Sequence, residues 1–205
     1  MSDSTGKKIY KVARWVVLAA LVVAIVFALK KPEPPAPPLP AAAVKEQAQQ
    51  FESKLQQIES AEQQGSNPAP EATTFTSSEV NAFIQDASER AKEEAAKQPT
   101  LAEAQAEVKD TQVAFSGNEV IAQAVTVRYG QDVYITVRGR LAAENGYLRF
   151  YPTGFKIGDL AVPVSLVDPT LQKKLNEPET HEKLKLPAFV QDLRIENGQL
   201  VMVPK

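Results

Sequence analysis

An uncharged apolar run, Trp15 to Leu29, separates a short basic head from a long acidic remainder. With Val12 and Ala13 ahead of it, a helix rising ~1.5 Å per residue reaches about 27 Å, slightly less than a hydrocarbon core of ~30 Å. Arg14 can snorkel to the headgroups from near its end, and Trp15 beside it favours the interface. Lys7, Lys8, Lys11 and Arg14 precede the run, whereas only Lys30 and Lys31 come after it before Glu33. The positive-inside rule therefore predicts a cytoplasmic tail over residues 1–11, a single-pass signal-anchor helix over 12–31, and export of everything beyond. A cleaved signal peptide, with Val26-Phe27-Ala28 as its small-residue site, is the rival reading. Both readings export the remainder; they differ on whether it stays tethered to the cell membrane.

Charge and composition agree with an exported, water-soluble remainder. Residues 1–40 hold six Lys/Arg against two acids, which leaves 17 against 23 in residues 41–205. That acidic balance offers no footprint for nucleic acid. The chain contains no cysteine, which excludes disulfides, thiol nucleophiles and Cys-based zinc sites. The exported part must then hold together by its core alone.

After the apolar run, Pro32-Glu33-Pro34-Pro35-Ala36-Pro37-Pro38-Leu39-Pro40 can be neither helix nor central strand. Read as polyproline II at ~3.1 Å per residue, residues 32–40 predict a spacer of roughly 25–30 Å. Residues 41–64 predict a helix in which Val44, Ala48, Phe51, Leu55 and Ile58 recur at spacings of 4, 3, 4 and 3, the seam of a coiled coil. With fewer than four heptads, this seam suits self-association through Val44, Phe51, Leu55 and Ile58, a partner helix, or the downstream domain equally well. Residues 65–74, beginning Gly-Ser-Asn-Pro-Ala-Pro, form a second linker.

The domain proper is expected over residues 75–205. Thr76 as N-cap and Glu79 three residues later make a capping box, and Phe75 can staple onto Val80. Val80, Phe83, Ile84, Ala87, Ala91 and Ala95 form one apolar stripe, and Lys97-Gln98-Pro99 ends the helix. From Val108 onward the period falls to 2, with turn signals at residues 116–118 and 130–132 and at the Asn145-Gly146 and Asn197-Gly198 pairs. Phe155 to Pro163 reads as a crossover, and Asp168-Pro169 as the start of a short helix stopped by Glu177-Pro178. The fold class is α+β: an N-terminal transmembrane helix, then a curved antiparallel sheet packed on a long helix.

The opening Thr76-Ser-Ser-Glu-Val-Asn-Ala-Phe-Ile84, the meander, Lys156-Ile-Gly-Asp-Leu-Ala-Val-Pro163, Leu186-Pro-Ala-Phe189 and the last Asn-Gly hairpin carry a resemblance. Over residues 75–203 the chain resembles the YpmS-type membrane-anchored family of bacteria and, more distantly, is similar to tubular lipid-binding domains, whose curved sheet wraps a long helix. That resemblance implies a gap able to hold acyl chains and transfers no catalytic residue. The proline spacer and the coiled-coil-like helix are extra to it.

Candidate sites emerge from these readings. Val80, Phe83, Ile84, Ala87, Phe155 and Phe189 are the expected lining of a groove for a lipid or other hydrophobic ligand. Arg128, Arg138, Arg140 and Arg149 would form a strip for anionic groups if the strand registers align them. His181, the single histidine, lies in a polar stretch with no nominated partner, and the motifs of serine hydrolases, zinc proteases and phosphate loops are missing. No catalytic residue, metal ligand or cofactor is therefore expected, and no enzymatic activity. Two functions remain: a membrane-anchored, extracytoplasmic binding module for a lipid or other hydrophobic ligand, and a non-catalytic assembly subunit of a cell-envelope complex.

Overall fold

The computed structural model describes residues 20, 22–63, 72–97, 108–128 and 130–205. The basic tail, residues 15–19 and 21 of the apolar run, the linker up to residue 71 and the Gln98-Pro99 helix stop lie outside the described residues. Residues 22–29 are helical, and no helix among the described residues is long and apolar enough to cross a membrane.

Beyond it come α1 (Ala41–Gln63), β1 (Thr73–Phe75), α2 (Ser77–Lys97), β2 (Asp110–Ser116), β3 (Glu119–Arg128), β4 (Gln131–Glu144), β5 (Tyr147–Ile157), β6 (Leu160–Val162), α3 (Val164–Leu175), α4 (Pro178–Lys183), β7 (Val190–Glu196) and β8 (Gln199–Pro204). Among the described residues the chain is α+β, with its strands in two antiparallel sheets instead of one. A curved five-stranded meander is ordered β2-β3-β4-β5-β6, and a three-stranded sheet β1-β8-β7. The expected crossover after Phe155 is a hairpin, because Gly158-Asp159 turns the chain back so that Ile157 pairs with Leu160.

Local signals explain where the elements begin and turn. The Thr76 N–H donates to Glu79 Oε2 (2.7 Å), and the Glu79 N–H donates to Thr76 Oγ1 (3.2 Å), closing the capping box. Asn145 and Gly146 have φ of 54° and 79°, and Asn197 and Gly198 have 50° and 75°, the left-handed pairs that a type I′ hairpin needs. The last short helices depart from expectation. Helix α3 begins at Val164 and carries Pro169 inside it, while Pro178 opens α4 instead of merely ending α3.

The core sits between the two long helices, the small sheet and one end of the meander. Phe75 is fully buried and Phe51 lies against both Phe75 and Phe83, with ring centroids 4.8 and 4.6 Å apart. Ile58, Val190, Leu193 and Met202 complete this cluster, with Leu141 and Leu148 packed on it from β4 and β5. Val44 and Ala48 close a second patch against Ala82 of α2 and Leu39. The coiled-coil-like seam is therefore occupied by the chain's own residues, the downstream-domain option among the three. A partner helix using Val44, Phe51, Leu55 and Ile58 would have to displace them.

Helix α2 does more than bury its stripe. Strand β2 is an edge of the meander, and an open edge exposes unpaired backbone groups. Asn81 Nδ2 donates to the Val113 carbonyl (2.6 Å), the Val113 N–H donates to Asn81 Oδ1 (2.7 Å), and the Phe115 N–H donates to Ser77 Oγ (2.8 Å). Polar side chains of the helix thus cover the edge.

Candidate functional site

The end of the apolar helix is seated on the folded domain. The last carbonyls of a helix have no partner within it and point out along its axis. Here the Asp159 N–H donates to the Phe27 carbonyl (2.9 Å), and Lys30 Nζ pairs with Asp159 Oδ2 (2.7 Å). Gly158 makes the approach possible. It has φ of 57°, its N–H donates to the Tyr134 carbonyl (2.7 Å), and a Cβ there would collide with the Ala28 carbonyl and stand 2.6 Å from that of Phe27. Only glycine combines the left-handed backbone with the missing side chain.

The proline-rich segment does not project as a spacer. It crosses one face of the meander, where Gln123, 5% exposed, donates from Nε2 to the Glu33 carbonyl (3.4 Å) and to Thr136 Oγ1 (3.2 Å). Ala36 is buried and Leu39 joins the α1–α2 patch. Proline in this stretch supplies an extended ribbon that covers strands without competing for their ladder bonds.

Only three of the six expected groove residues come together. Val80, Phe83 and Phe189 pack into the main core, because Phe51 and Ile58 of α1 fill the space that the sequence leaves for a ligand. Ala87 is exposed, and Phe155 lies on β5 between Val137 and Val162. Ile84 instead lines a cleft of about 720 Å³ bounded by Ala36–Leu39, by α2 and by residues 108–112. Its walls mix apolar groups (Pro37, Leu39, Ile84, Val108) with polar ones (Asn81, Gln85, Lys92, Gln112). The buried Oε1 of Gln112 has no hydrogen-bond partner among the described residues.

The arginine strip assembles only in part. Register puts Arg138 opposite Gly154, Arg140 opposite Tyr151, and Arg149 opposite Ala142, so these three share a face, joined by Lys156 opposite Thr136. Arg128 pairs with Gln131, an odd position of β4, and so falls on the other face, because alternate residues of a strand point to opposite sides. Acids interleave with the strip. Arg138 pairs with Glu119 (3.1 Å), Tyr151 hydrogen-bonds to Glu144, and Arg149 donates to Asn176 Oδ1 (3.2 Å). The Glu144 hydrogen bond holds the Tyr151 phenol above its ordinary value.

Two further polar features have structural explanations. Burial pushes the Glu79 carboxyl up, but hydrogen bonds from Lys54 (2.6 Å) and Thr76 outweigh it and leave the group below its ordinary value. His181 stacks on Tyr147 at 4.1 Å and 15°, half-buried within α4. Among the described residues no three His, Cys, Asp or Glu side chains converge as a metal site.

Sequence reasoning named neither Gly158-Asp159 nor Gln123 as functional. The signal available was a Gly-Asp pair inside an alternating strand pattern, which marks a turn and carries no hint of what approaches it. No family model, curated protein or solved structure matches the chain.

Proposed function

We propose that this chain is a single-pass membrane protein whose extracytoplasmic domain binds a lipid or other hydrophobic ligand in the cleft beside α2, not in the core. The observation that carries the reading is where the cleft lies. Its wall of residues 108–112 runs into β2, where Asp110 pairs with Val125 of β3 and Val125 with Tyr134 of β4, the residue that holds Gly158 under the helix end. The cleft therefore lies at the level of the helix end.

Support for the anchor comes from residues 22–29, where Val22, Val23, Ile25, Val26, Phe27 and Leu29 are each roughly half exposed. An apolar helix uncovered on its sides needs a non-aqueous surrounding. The basic residues before the run favour export of the domain beyond it. The cleft volume, about 720 Å³, falls in the ~300–1,000 Å³ span of ligand sites.

The test is native mass spectrometry of the full chain released from mild detergent micelles. Fragments without α1 are unsuitable, since Phe51 and Ile58 complete the core. Co-purifying lipid masses that disappear in Ile84→Arg, with the circular dichroism spectrum unchanged, support the proposal. A chain that neither retains nor takes up phospholipid refutes it. That result favours the second reading, a non-catalytic assembly subunit of an envelope complex, which the filled core supports.

A further inference from the structure

We infer that the end of the five-stranded sheet next to the helix seat is itself a bilayer-contacting surface, with Val108 and Val127 lying among the lipid headgroups. This rests on the membrane-anchored reading above. Because the Phe27 carbonyl points out of the helix C-terminus into the Asp159 N–H, the turn stands beyond that end and the helix rises away from it. Gly158, bonded to the Tyr134 carbonyl, marks the height of the seat on β4.

Strands β3 and β4 continue past that height. Tyr134 pairs with Val125, Val127 with Asp132, and β4 begins only at Gln131, three residues further, or roughly 10 Å at strand rise. The Lys109 N–H donates to the Val125 carbonyl, which brings Val108 to the same end. Val108 and Val127 are 50% and 44% exposed. Beside them Lys109 pairs with Asp132 (3.1 Å), at the seat Lys30 pairs with Asp159 (2.7 Å), and Arg128, next along β3, falls on the other face, so this face offers apolar surface bordered by paired charge. Such a surface suits the zwitterionic interface that the rising helix enters. A free spacer would have held it away; the seat removes that separation.

The chain has no cysteine, so a single label is unambiguous. Full-length Val127→Cys, labelled with an environment-sensitive fluorophore, is reconstituted in phosphatidylcholine vesicles with and without spin-labelled lipid. Asn118→Cys, in the exposed turn at the other end of β2 and β3, is the comparison. The expected result is blue-shifted emission from position 127, quenched by spin-labelled lipid, and neither effect at position 118. Gly158→Ala and Lys30→Glu, the second leaving the turn backbone intact, should each abolish the quenching while the chain stays folded and resists alkaline extraction. A label at 127 as wet as that at 118 overturns the inference, as does one that is shielded but not quenched by lipid, which means protein contact. Quenching that survives both unseating substitutions overturns the seat as its cause. A chain extracted by alkaline carbonate overturns the anchor reading and the inference with it.

Discussion

Replacing Phe51 by Ala tests whether α1 belongs to this domain or to a partner. The ring is 9% exposed and touches the rings of Phe75 and Phe83. Moving a buried phenylalanine side chain to water costs about 2 kcal/mol. A residual cavity on the order of 80 Å³, at ~24 cal/mol per Å³, adds about 2 kcal/mol. The sum of about 4 kcal/mol lies within the ~3–5 kcal/mol usual for Phe→Ala in a core, a large part of a stability of roughly 5–15 kcal/mol. Urea titration of the full chain in mild detergent, followed by circular dichroism, should show the midpoint falling with little change in slope, and light scattering should show no change of oligomeric state. A loss below about 1 kcal/mol, accompanied by dissociation of a dimer, would refute the intramolecular packing and restore the coiled-coil seam.

The Glu79 carboxyl is held below its ordinary value of 4.5, so its contribution is complete above that pH and drains as pH falls through the lower folded value. Glu79→Gln should therefore flatten the stability profile below pH 4.5 and cost about 1–3 kcal/mol at neutral pH, measured by urea titration across pH. Asn81→Ala leaves the Val113 N–H and carbonyl without their side-chain partner. It should cost about 1–3 kcal/mol and accelerate hydrogen exchange at Val113 ahead of the central strands. Gly139→Ala would set a Cβ 2.6 Å from the Phe150 ring at the β4–β5 bulge. It should lose about 1–3 kcal/mol or more by overpacking, read from the thermal midpoint, whereas Gly154→Ala, whose Cβ would stand 3.5 Å from the Arg138 Cβ, should lose less.

Thr76, Glu79 and the two Asn-Gly pairs were legible because each is a local device, complete within four residues. The seam of α1 was legible as apolar but not as to its partner. Periodicity reports which face must be covered and is silent on what covers it. The groove failed for the same reason: Val80, Phe83 and Phe189 do form a lining, and Phe51 and Ile58, from a helix the sequence treats as separate, fill it. The arginines were legible as lying on neighbouring strands. Their sharing of a face turns on register, and a single odd position sends Arg128 to the other side.

By itself the sequence determined the apolar run, the charge asymmetry around it, the α+β class, the capping box and the tight turns, all set by neighbours along the chain. Only the tertiary structure decided that the strands divide into two sheets, that α1 closes the core, that the proline segment lies across the meander, and that the Gly158-Asp159 turn receives the end of the apolar helix. Those outcomes join residues as far apart as Phe27 and Asp159. The energy that selects them comes from burial and from pairing between segments, which no local window contains.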